Sequence, residues 1–225
     1  MNAIKKFFST EPHDDGYPRL IDHLVDEGVA ARHSTVVSAM RRVDRSQFLA
    51  EESRARAAVD MPLAIPGGQT NSQPTTVAIM LRELAAQRGE HVLDVGFGSG
   101  WTTALLGVMV GDKGGVWGIE TNPEAFAFGT INIAQFSQKN NIHHIHLMQG
   151  DGKQGWITAA PFNRILVSAA ADTVPEALVN QLALGGRMVI PVRDGYSESL
   201  RVIEKDQKNR IHAKDIPGFR FVPLL

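Results

Sequence analysis

The sequence predicts an α/β fold, in which a mostly parallel sheet is flanked by helices and preceded by a helical segment. Three observations predict this class. From Pro74 onwards, short apolar runs alternate with longer segments whose apolar positions recur at helical spacing. One of these runs ends in an acid that is followed by a glycine-rich turn. The 225 residues, 43% of them hydrophobic, are also enough to build one sizeable core.

Composition excludes several classes of protein. Lysine and arginine number 23 against 24 aspartates and glutamates, which argues against a dedicated nucleic-acid binder. The chain has no cysteine, so disulfides, thiolate metal sites and cysteine nucleophiles are excluded. No apolar run approaches the roughly 18 residues of a membrane span, and the start lacks the apolar core of a signal peptide. We therefore expect a cytoplasmic protein without a membrane segment. We also expect it to be a monomer.

The first part of the chain predicts helices and a loop. Residues 1–17 form a polar lead-in, and the apolar positions from Leu20 to Val25 recur at helical spacing. Ser34 is a candidate N-cap for a second helix. Residues 54–74, rich in proline and glycine, are predicted to be an extended loop. We expect one domain over 1–225, with a helical cap and acceptor loop at 1–73 and an α/β core at 74–225.

The α/β part is predicted element by element. Pro74 suits the first turn of a helix that Gly89 ends, and Asn122 is a candidate cap for a later helix. Further helices are predicted at 102–110, 122–138 and 173–184. The predicted strands are 91–95, 115–120, 142–148, 162–168, 187–192, 200–204 and 219–224.

The glycine-rich turn carries most of the functional information. Asp94 ends an apolar strand, and Gly96, Gly98 and Gly100 then open a helix. Glycines allow a tight turn and let a ligand lie against bare backbone. A dinucleotide fingerprint needs its third glycine where this chain has Trp101, so pyrophosphate binding is disfavoured. S-adenosylmethionine, a nucleoside joined to an amino acid through a sulfonium, fits better.

Two carboxylates follow the next two predicted strands. Glu120 ends the second strand, where it can accept hydrogen bonds from ribose hydroxyls. Asp151, after Gly150, follows the third strand, where it can accept from an adenine amino group. Singly, each could be an ordinary turn residue. Because ligands bind outside the carboxyl ends of such strands, their joint order favours one nucleoside site.

Together these residues resemble the class I S-adenosylmethionine-dependent methyltransferases, with a Rossmann-like sheet, and the flanks resemble protein-L-isoaspartate O-methyltransferases. The loop Gly68-Gln69-Thr70-Asn71-Ser72-Gln73-Pro74 is similar to that family's signature loop, which commonly reads Gly-Gln-Thr-Ile-Ser-Gln-Pro. The resemblance spans about residues 20–225. Its other matching segments are Ala39-Met40 with Val43, Arg45 and Phe48, Phe162–Val167 with Ala169-Ala170 and Pro175, Gly185–Val192, and Phe221–Leu224.

The resemblance implies methylation of L-isoaspartyl carboxylates in damaged proteins or peptides, which is protein repair. It implies S-adenosylmethionine as methyl donor, S-adenosylhomocysteine as product, and no metal. Ser72 takes the catalytic position, where its hydroxyl could orient the acceptor carboxylate; alternatively, it caps the helix that begins near Pro74. The residues expected to bind the cofactor are Gln69, Thr70, Asn71, Gly96, Gly98, Ser99, Gly100, Glu120, Thr121, Gly150 and Asp151.

Several departures from the family pattern leave the acceptor open. Asn71 replaces a usual isoleucine, Asn163 a usual aspartate, Ala58 a frequent tyrosine and Pro66 a usual glycine. The alternatives are a methyltransferase of the same fold with another acceptor, a non-catalytic cofactor-binding relative and, more remotely, a nicotinamide oxidoreductase.

Three aromatic side chains outside the main motifs also bear on the site. Trp101 is expected either to pack the helix start or to lie near the sulfonium. His144 and His146 share one strand face, but two histidines alone do not make a metal site.

Overall fold

The computed structural model describes residues 16–195 and 197–224, so most of the predicted polar lead-in lies outside the described residues. The helices are α1 (Tyr17–Asp26), α2 (Thr35–Arg42), α3 (Pro74–Leu84), α4 (Trp101–Val110), α5 (Pro123–Asn140) and α6 (Glu176–Gln181). The strands are β1 (Leu63–Ile65), β2 (Gln69–Asn71), β3 (His91–Val95), β4 (Gly115–Glu120), β5 (Ile145–Gln149), β6 (Phe162–Val167), β7 (Leu182–Asp194), β8 (Ser197–Lys205) and β9 (Ile211–Pro217).

The main sheet has seven strands in the order β5-β4-β3-β6-β7-β8-β9. Strands β3 to β7 pair in parallel, whereas β8 and β9 add two antiparallel pairings at one edge. The predicted α/β class with a mostly parallel sheet is confirmed. The chain winds outward from β3 in one direction to β5 and then in the other through β6. This reversal places a crevice beyond the carboxyl ends of β3 and its neighbours.

The hydrophobic core divides between the two faces of the sheet. Along β3, Val92 belongs to one cluster of buried side chains, whereas Leu93 and Val95 belong to another. This alternation follows from the two-residue period of a strand. The cluster that contains Val92 also contains the buried faces of α1, α2, α3 and α4. The N-terminal helices therefore share their core with the helices that follow the acceptor loop and the glycine turn.

Helix starts agree with the sequence better than helix ends. The predicted caps are confirmed, because Ser34 accepts from the amide of Val37 and Asn122 accepts from two amides of the first turn of α5. The prediction that Gly89 ends α3 is wrong: the helix ends at Leu84, and Ala85 adopts the left-handed conformation with φ 53°. The predicted helix 173–184 shrinks to α6, because the chain from Leu182 onwards pairs with β6.

Two further predictions need correction. The predicted loop 54–74 contains a hairpin, in which β1 pairs with β2 across a tight turn at Pro66–Gly68. The predicted strand 219–224 is absent as a strand among the described residues; the last strand is β9, where no strand was predicted, and it pairs with β8, which ends at Lys205. There, Lys205 is buried and its Nζ donates to the carbonyl of Leu182. Long-range pairing decided each of these cases, and local sequence carries little of that information.

Candidate functional site

A cavity of about 320 Å³ opens beyond the carboxyl ends of β3 and β4. The β1–β2 hairpin and the segment 220–224 border it on the other sides. Of the residues expected from the sequence to form the site, this cavity brings together Gln69, Thr70, Asn71, Ser72, Gly96, Gly98, Ser99, Glu120 and Thr121.

The glycine turn forms one wall of the cavity through its backbone. Gly96, Gly98 and Gly100 have φ values of 77°, 51° and 85°, which side chains with a Cβ rarely adopt. The amide of Gly98 donates to Oε2 of Glu120 at 2.9 Å, so the turn is tied to the end of β4. Of these three glycines, Gly96 and Gly98 line the cavity, where they present backbone without side chains.

Glu120 is buried, and both of its carboxylate oxygens are already engaged. Besides the bond to Gly98, its Oε1 accepts from the amide of Asn122 at 2.9 Å. Each carboxylate oxygen can accept a second hydrogen bond. Glu120 is therefore held rigidly at the cavity wall with accepting capacity left for a ligand's hydroxyls.

Asp94 supports the same turn from beneath. Its Oδ2 accepts from the hydroxyls of Thr102 and Thr103 at 3.0 and 2.7 Å, at the start of α4. Its Oδ1 is buried without a partner among the described residues. Burial raises the pKa of Asp94 to about 6, while the two threonine hydrogen bonds oppose this shift and the charge of Glu120 adds to it.

The acceptor loop, residues 68–74, forms the opposite wall and is held by one buried cation. Arg45 is fully buried, and its Nη2 donates to the carbonyls of Met61, Asn71 and Ser72 at 2.8, 3.3 and 3.0 Å. Its Nη1 donates to the carbonyls of Ala57 and Val59. The guanidinium thereby fixes the backbone on both sides of the hairpin.

A buried carboxylate holds the other end of the acceptor loop. Asp60 accepts from the amide and hydroxyl of Thr75 at 2.8 and 2.6 Å, and from the side-chain amide of Gln73 at 3.0 Å. Ser72 therefore lies between two anchored positions and lines the cavity.

Three expected cofactor residues are outside the cavity lining. Gly100 lies at the N-terminus of α4, where an added Cβ would be 2.7 Å from Ile133. The amide of Gly150 donates to the carbonyl of Glu120, and Gly152 lines the cavity instead. Asp151 is exposed, and its Oδ1 accepts from the amide of Lys153 at 2.8 Å. Gly100 and Gly150 thus shape the walls through their backbone.

The cavity wall also contains polar residues that were not expected from the sequence, among them Thr76, Thr102, Ser168 and Arg220. Ser168, just after β6, lines the cavity, and its hydroxyl is buried without a partner among the described residues. Arg220 borders the cavity from the C-terminal segment. The one available signal was the family-like segment beginning at Phe221, next to Arg220, because it indicated that the chain end belongs to the folded domain.

The aromatic and histidine candidates have structural contacts. Trp101 is buried and is packed edge-on by Tyr17, and Arg45 lies over its ring at 5.4 Å from the ring centre. His144 contacts the carbonyl of Gly107, and His146 stacks on Trp117. Over residues 16–195 and 197–224, no three acidic or histidine side chains cluster as metal ligands would.

Of the four departures from the family pattern, Asn71 alone lines the cavity. Asn163 lies at the opposite end of the sheet, where its Oδ1 accepts from the amide of His91 at 2.9 Å. Pro66 begins the tight turn of the hairpin, and Ala58 precedes the buried Val59. Pro66, Ala58 and Asn163 thus lie outside the lining.

A search of the described helices for one that could cross a membrane, by length and by apolar character, finds none.

Comparison with known proteins identifies the family. The family model of protein-L-isoaspartate(D-aspartate) O-methyltransferase matches residues 17–225. The chain is 44% identical to a protein-L-isoaspartate O-methyltransferase of Anaeromyxobacter dehalogenans strain 2CP-1 over 194 residues, which is 86% of this chain and 90% of the relative. It is 39% identical to that of Thermococcus sibiricus over 209 residues, 92% of both chains.

A solved structure agrees with this family. The crystal structure of a candidate protein-L-isoaspartate O-methyltransferase from Plasmodium falciparum, in complex with S-adenosyl-L-homocysteine, superposes with a TM-score of 0.83. The match has 26% identity and covers 93% of this chain and 98% of that one. With a sheet, a glycine turn and an acceptor loop that all fit, this chain belongs to the protein-L-isoaspartate(D-aspartate) O-methyltransferase family.

Proposed function

We propose that this chain transfers the methyl group of S-adenosylmethionine to the carboxylate of L-isoaspartyl residues in damaged proteins and peptides. One observation carries the proposal: the glycine turn with Glu120 and the acceptor loop with Ser72 are opposite walls of one cavity. Such a cavity can hold a donor and an acceptor side by side. Holding two reactants in line can supply about 7–11 kcal/mol of the barrier to their reaction.

The chemistry of the cavity fits S-adenosylmethionine. Glu120 offers carboxylate oxygens to ribose hydroxyls, and Val95 and Ile119 provide apolar wall for a base. Arg220 is the one cation among the described residues of the lining, so the site lacks the charges that a diphosphate calls for. We assign the ribose to Glu120, the amino-acid part to the turn 96–100, and the adenine to the neighbourhood of Asp151. Gln69, Thr70, Asn71 and Thr121 complete the rim of this site.

In this reaction, the residues contribute by aligning the two reactants more than by transferring protons. When bound, S-adenosylmethionine supplies a methyl carbon activated by positive sulfur. An acceptor carboxylate with an ordinary pKa near 4 is ionised at pH 7, so no general base is needed. We assign Ser72 to donate its hydroxyl hydrogen to that carboxylate and so orient it. Arg220, at the rim, attracts the same negative charge.

The organisation of the chain is part of the proposal. We assign residues 1–73 to a cap that carries most of the acceptor loop, and 74–225 to the part that binds the cofactor. The protein is proposed to act as a monomer in the cytoplasm, on protein substrates and without nucleic acid.

The acceptor is tested with matched peptides. Methyl transfer from labelled S-adenosylmethionine should be far faster to an isoaspartyl peptide than to the same sequence with normal aspartate. Equal labelling of the two peptides would refute the repair assignment, and labelling of another acceptor class would replace it.

The cofactor site is tested by calorimetry. Glu120→Ala should weaken S-adenosylhomocysteine binding by about 30-fold, because hydrogen bonds to a charged group contribute about 1.5–3 kcal/mol. Asp151→Ala provides the comparison for the adenine end, with an expected loss of about fivefold. Tight binding by the Glu120 variant would remove that residue from the ribose site.

A further inference from the structure

The side chain of Asn71 joins the acceptor loop to the glycine turn. It is buried, with 3% of its surface exposed. Its Nδ2 donates to the hydroxyl oxygen of Ser99 at 2.9 Å, and its Oδ1 accepts from Nε of Arg45 at 2.8 Å. Ser99 in turn accepts from the amide of Trp101 at the start of α4. A continuous chain of hydrogen bonds therefore runs from Arg45 to the first turn of α4.

Chemistry fixes the orientation of this amide. A guanidinium has donors and no acceptor, so the oxygen of Asn71 must face Arg45. The amide nitrogen then faces Ser99, whose hydroxyl oxygen can accept from it. An apolar residue at this position would leave Nε of the buried Arg45 without its partner. Asn71 thus suits a link between two polar walls.

The link holds the residue beside it. Ser72 follows Asn71 directly, and Arg45 donates to the backbone carbonyls of both. The side chain of Asn71 therefore forms a hydrogen-bonded connection between Ser99 in the glycine turn and the segment that carries Ser72. Asn132 also donates to Ser99, at its backbone carbonyl, but it does so from α5 and has no contact with the acceptor loop among the hydrogen bonds of the described residues.

We propose that Asn71 is a positioning residue that couples the cofactor-binding turn to the acceptor loop, so that filling one side of the cavity organises the other. The inference rests on the proposed function, because it assigns the two walls to donor and acceptor. Without the link, the competent arrangement of the two loops is a smaller fraction of the population. The apparent affinity for either ligand then falls by that fraction.

The experiment is a double-mutant cycle on Asn71→Leu and Ser99→Ala. S-adenosylhomocysteine affinity is measured by calorimetry. KM and kcat for an isoaspartyl peptide are measured at saturating S-adenosylmethionine. Each single change should weaken S-adenosylhomocysteine binding about fivefold and raise the peptide KM. The double variant should lose less than about tenfold in S-adenosylhomocysteine affinity, because the effects of substitutions within one hydrogen-bond network are not additive. Losses that multiply to about 25-fold would overturn the coupling.

Asn132→Leu is the matched control, since it removes an amide that contacts Ser99 from elsewhere. It should weaken S-adenosylhomocysteine binding and leave the peptide KM unchanged. If it raises that KM as much as Asn71→Leu does, the link through Asn71 is refuted.

Asn71→Asp tests the same link in a variant that keeps a partner for Arg45. Its second oxygen can accept from the hydroxyl of Ser99, so its losses in affinity and KM should be smaller than those of Asn71→Leu or Ser99→Ala, and the added Ser99→Ala should abolish this rescue. This pair of variants also tests the link if Asn71→Leu fails to fold, and an aspartate variant as impaired as Ser99→Ala would overturn the proposal.

The failure of this inference is distinguishable from the failure of the proposed function. If isoaspartyl peptides are not methylated but the binding cycle is non-additive, the acceptor assignment fails and the coupling stands. If methylation is normal but the cycle is additive, the coupling fails and the acceptor assignment stands.

Discussion

The two walls of the cavity are held by different means. The glycine turn depends mainly on backbone conformation, with three glycines at positive φ, and is supported by one carboxylate, Glu120, which lies 22 residues after Gly98 and accepts from its amide. The acceptor loop depends on partners far along the chain. Arg45 lies 26 residues before Asn71, and Gly67 at the hairpin tip contacts Asn122, 55 residues later. One wall is therefore shaped mainly by backbone conformation, and the other mainly by hydrogen bonds to distant parts of the chain.

This difference predicts different failures. Substitutions that disrupt the acceptor wall should leave buried carbonyls without hydrogen-bond donors and reduce global stability, because a single cation, Arg45, donates to several of these carbonyls. Damage to the cofactor wall should act more locally, through strain in a short turn. Three substitutions, two of them with a matched control, test this difference between the walls.

The largest effect is expected from Arg45→Met. It removes the hydrogen-bond donors of five backbone carbonyls, among them those of Val59 and Ser72. Buried acceptors left without donors cost about 1–3 kcal/mol each, so the free energy of unfolding should fall by about 5 kcal/mol or more, measured by urea titration.

Arg41→Met is the control for that change. Arg41 pairs with Asp22 at the surface, with 47% of its side chain exposed. Its loss should cost under about 1 kcal/mol. If Arg45→Met and Arg41→Met reduced the free energy of unfolding equally, the assigned role of Arg45 in holding the acceptor loop would be contradicted.

A smaller effect is expected from Gly100→Ala, on the cofactor wall. Gly100 and Gly89 have the same φ of 85°, but an added Cβ meets Ile133 at 2.7 Å in the first case and nothing within 4 Å in the second. Gly89→Ala should cost about 1–2 kcal/mol from backbone strain alone. Gly100→Ala should cost about 1–3 kcal/mol more from overpacking, and should also weaken S-adenosylhomocysteine binding. If both glycines respond alike, contact with Ile133 is irrelevant to the turn.

The smallest effect is expected from Asp94→Asn and depends on pH. The folded-state pKa of Asp94, about 6, lies above its ordinary value of 3.8, so the folded protein holds this proton more tightly than the unfolded chain. The stability contributed by the proton is complete below pH 3.8 and is lost as pH rises through about 6. Asparagine mimics the protonated form at every pH. The variant should gain up to about 3 kcal/mol over the parent at pH 8 and little at pH 4, as followed by thermal melting. A gain that does not change with pH would exclude titration of Asp94.

Much of the cofactor wall could be predicted from the sequence. The strands that end at Val95 and Glu120 are short buried runs, and the glycines between them permit the positive φ values of the turn, which other residues rarely adopt. Asn122 is predictable as a cap because an Asx side chain before a helix can accept from the first free amides. The sequence also predicts that Asp151 and Gly150 follow their strand, yet proximity along the chain does not tell whether they line the cavity.

The sequence by itself determined the α/β class, the order of its main strands along the chain, and the nucleoside-binding character of the turn at Gly96, because these follow from hydrophobic period and local backbone freedom. Only the tertiary structure decided that Arg45 anchors the acceptor loop, that Asn71 contacts Ser99, and that Ser168 and Arg220 border the cavity. Local patterns do not encode which distant groups will satisfy a buried hydrogen bond. Folding decides that, since each buried donor or acceptor must find its partner wherever the chain brings one.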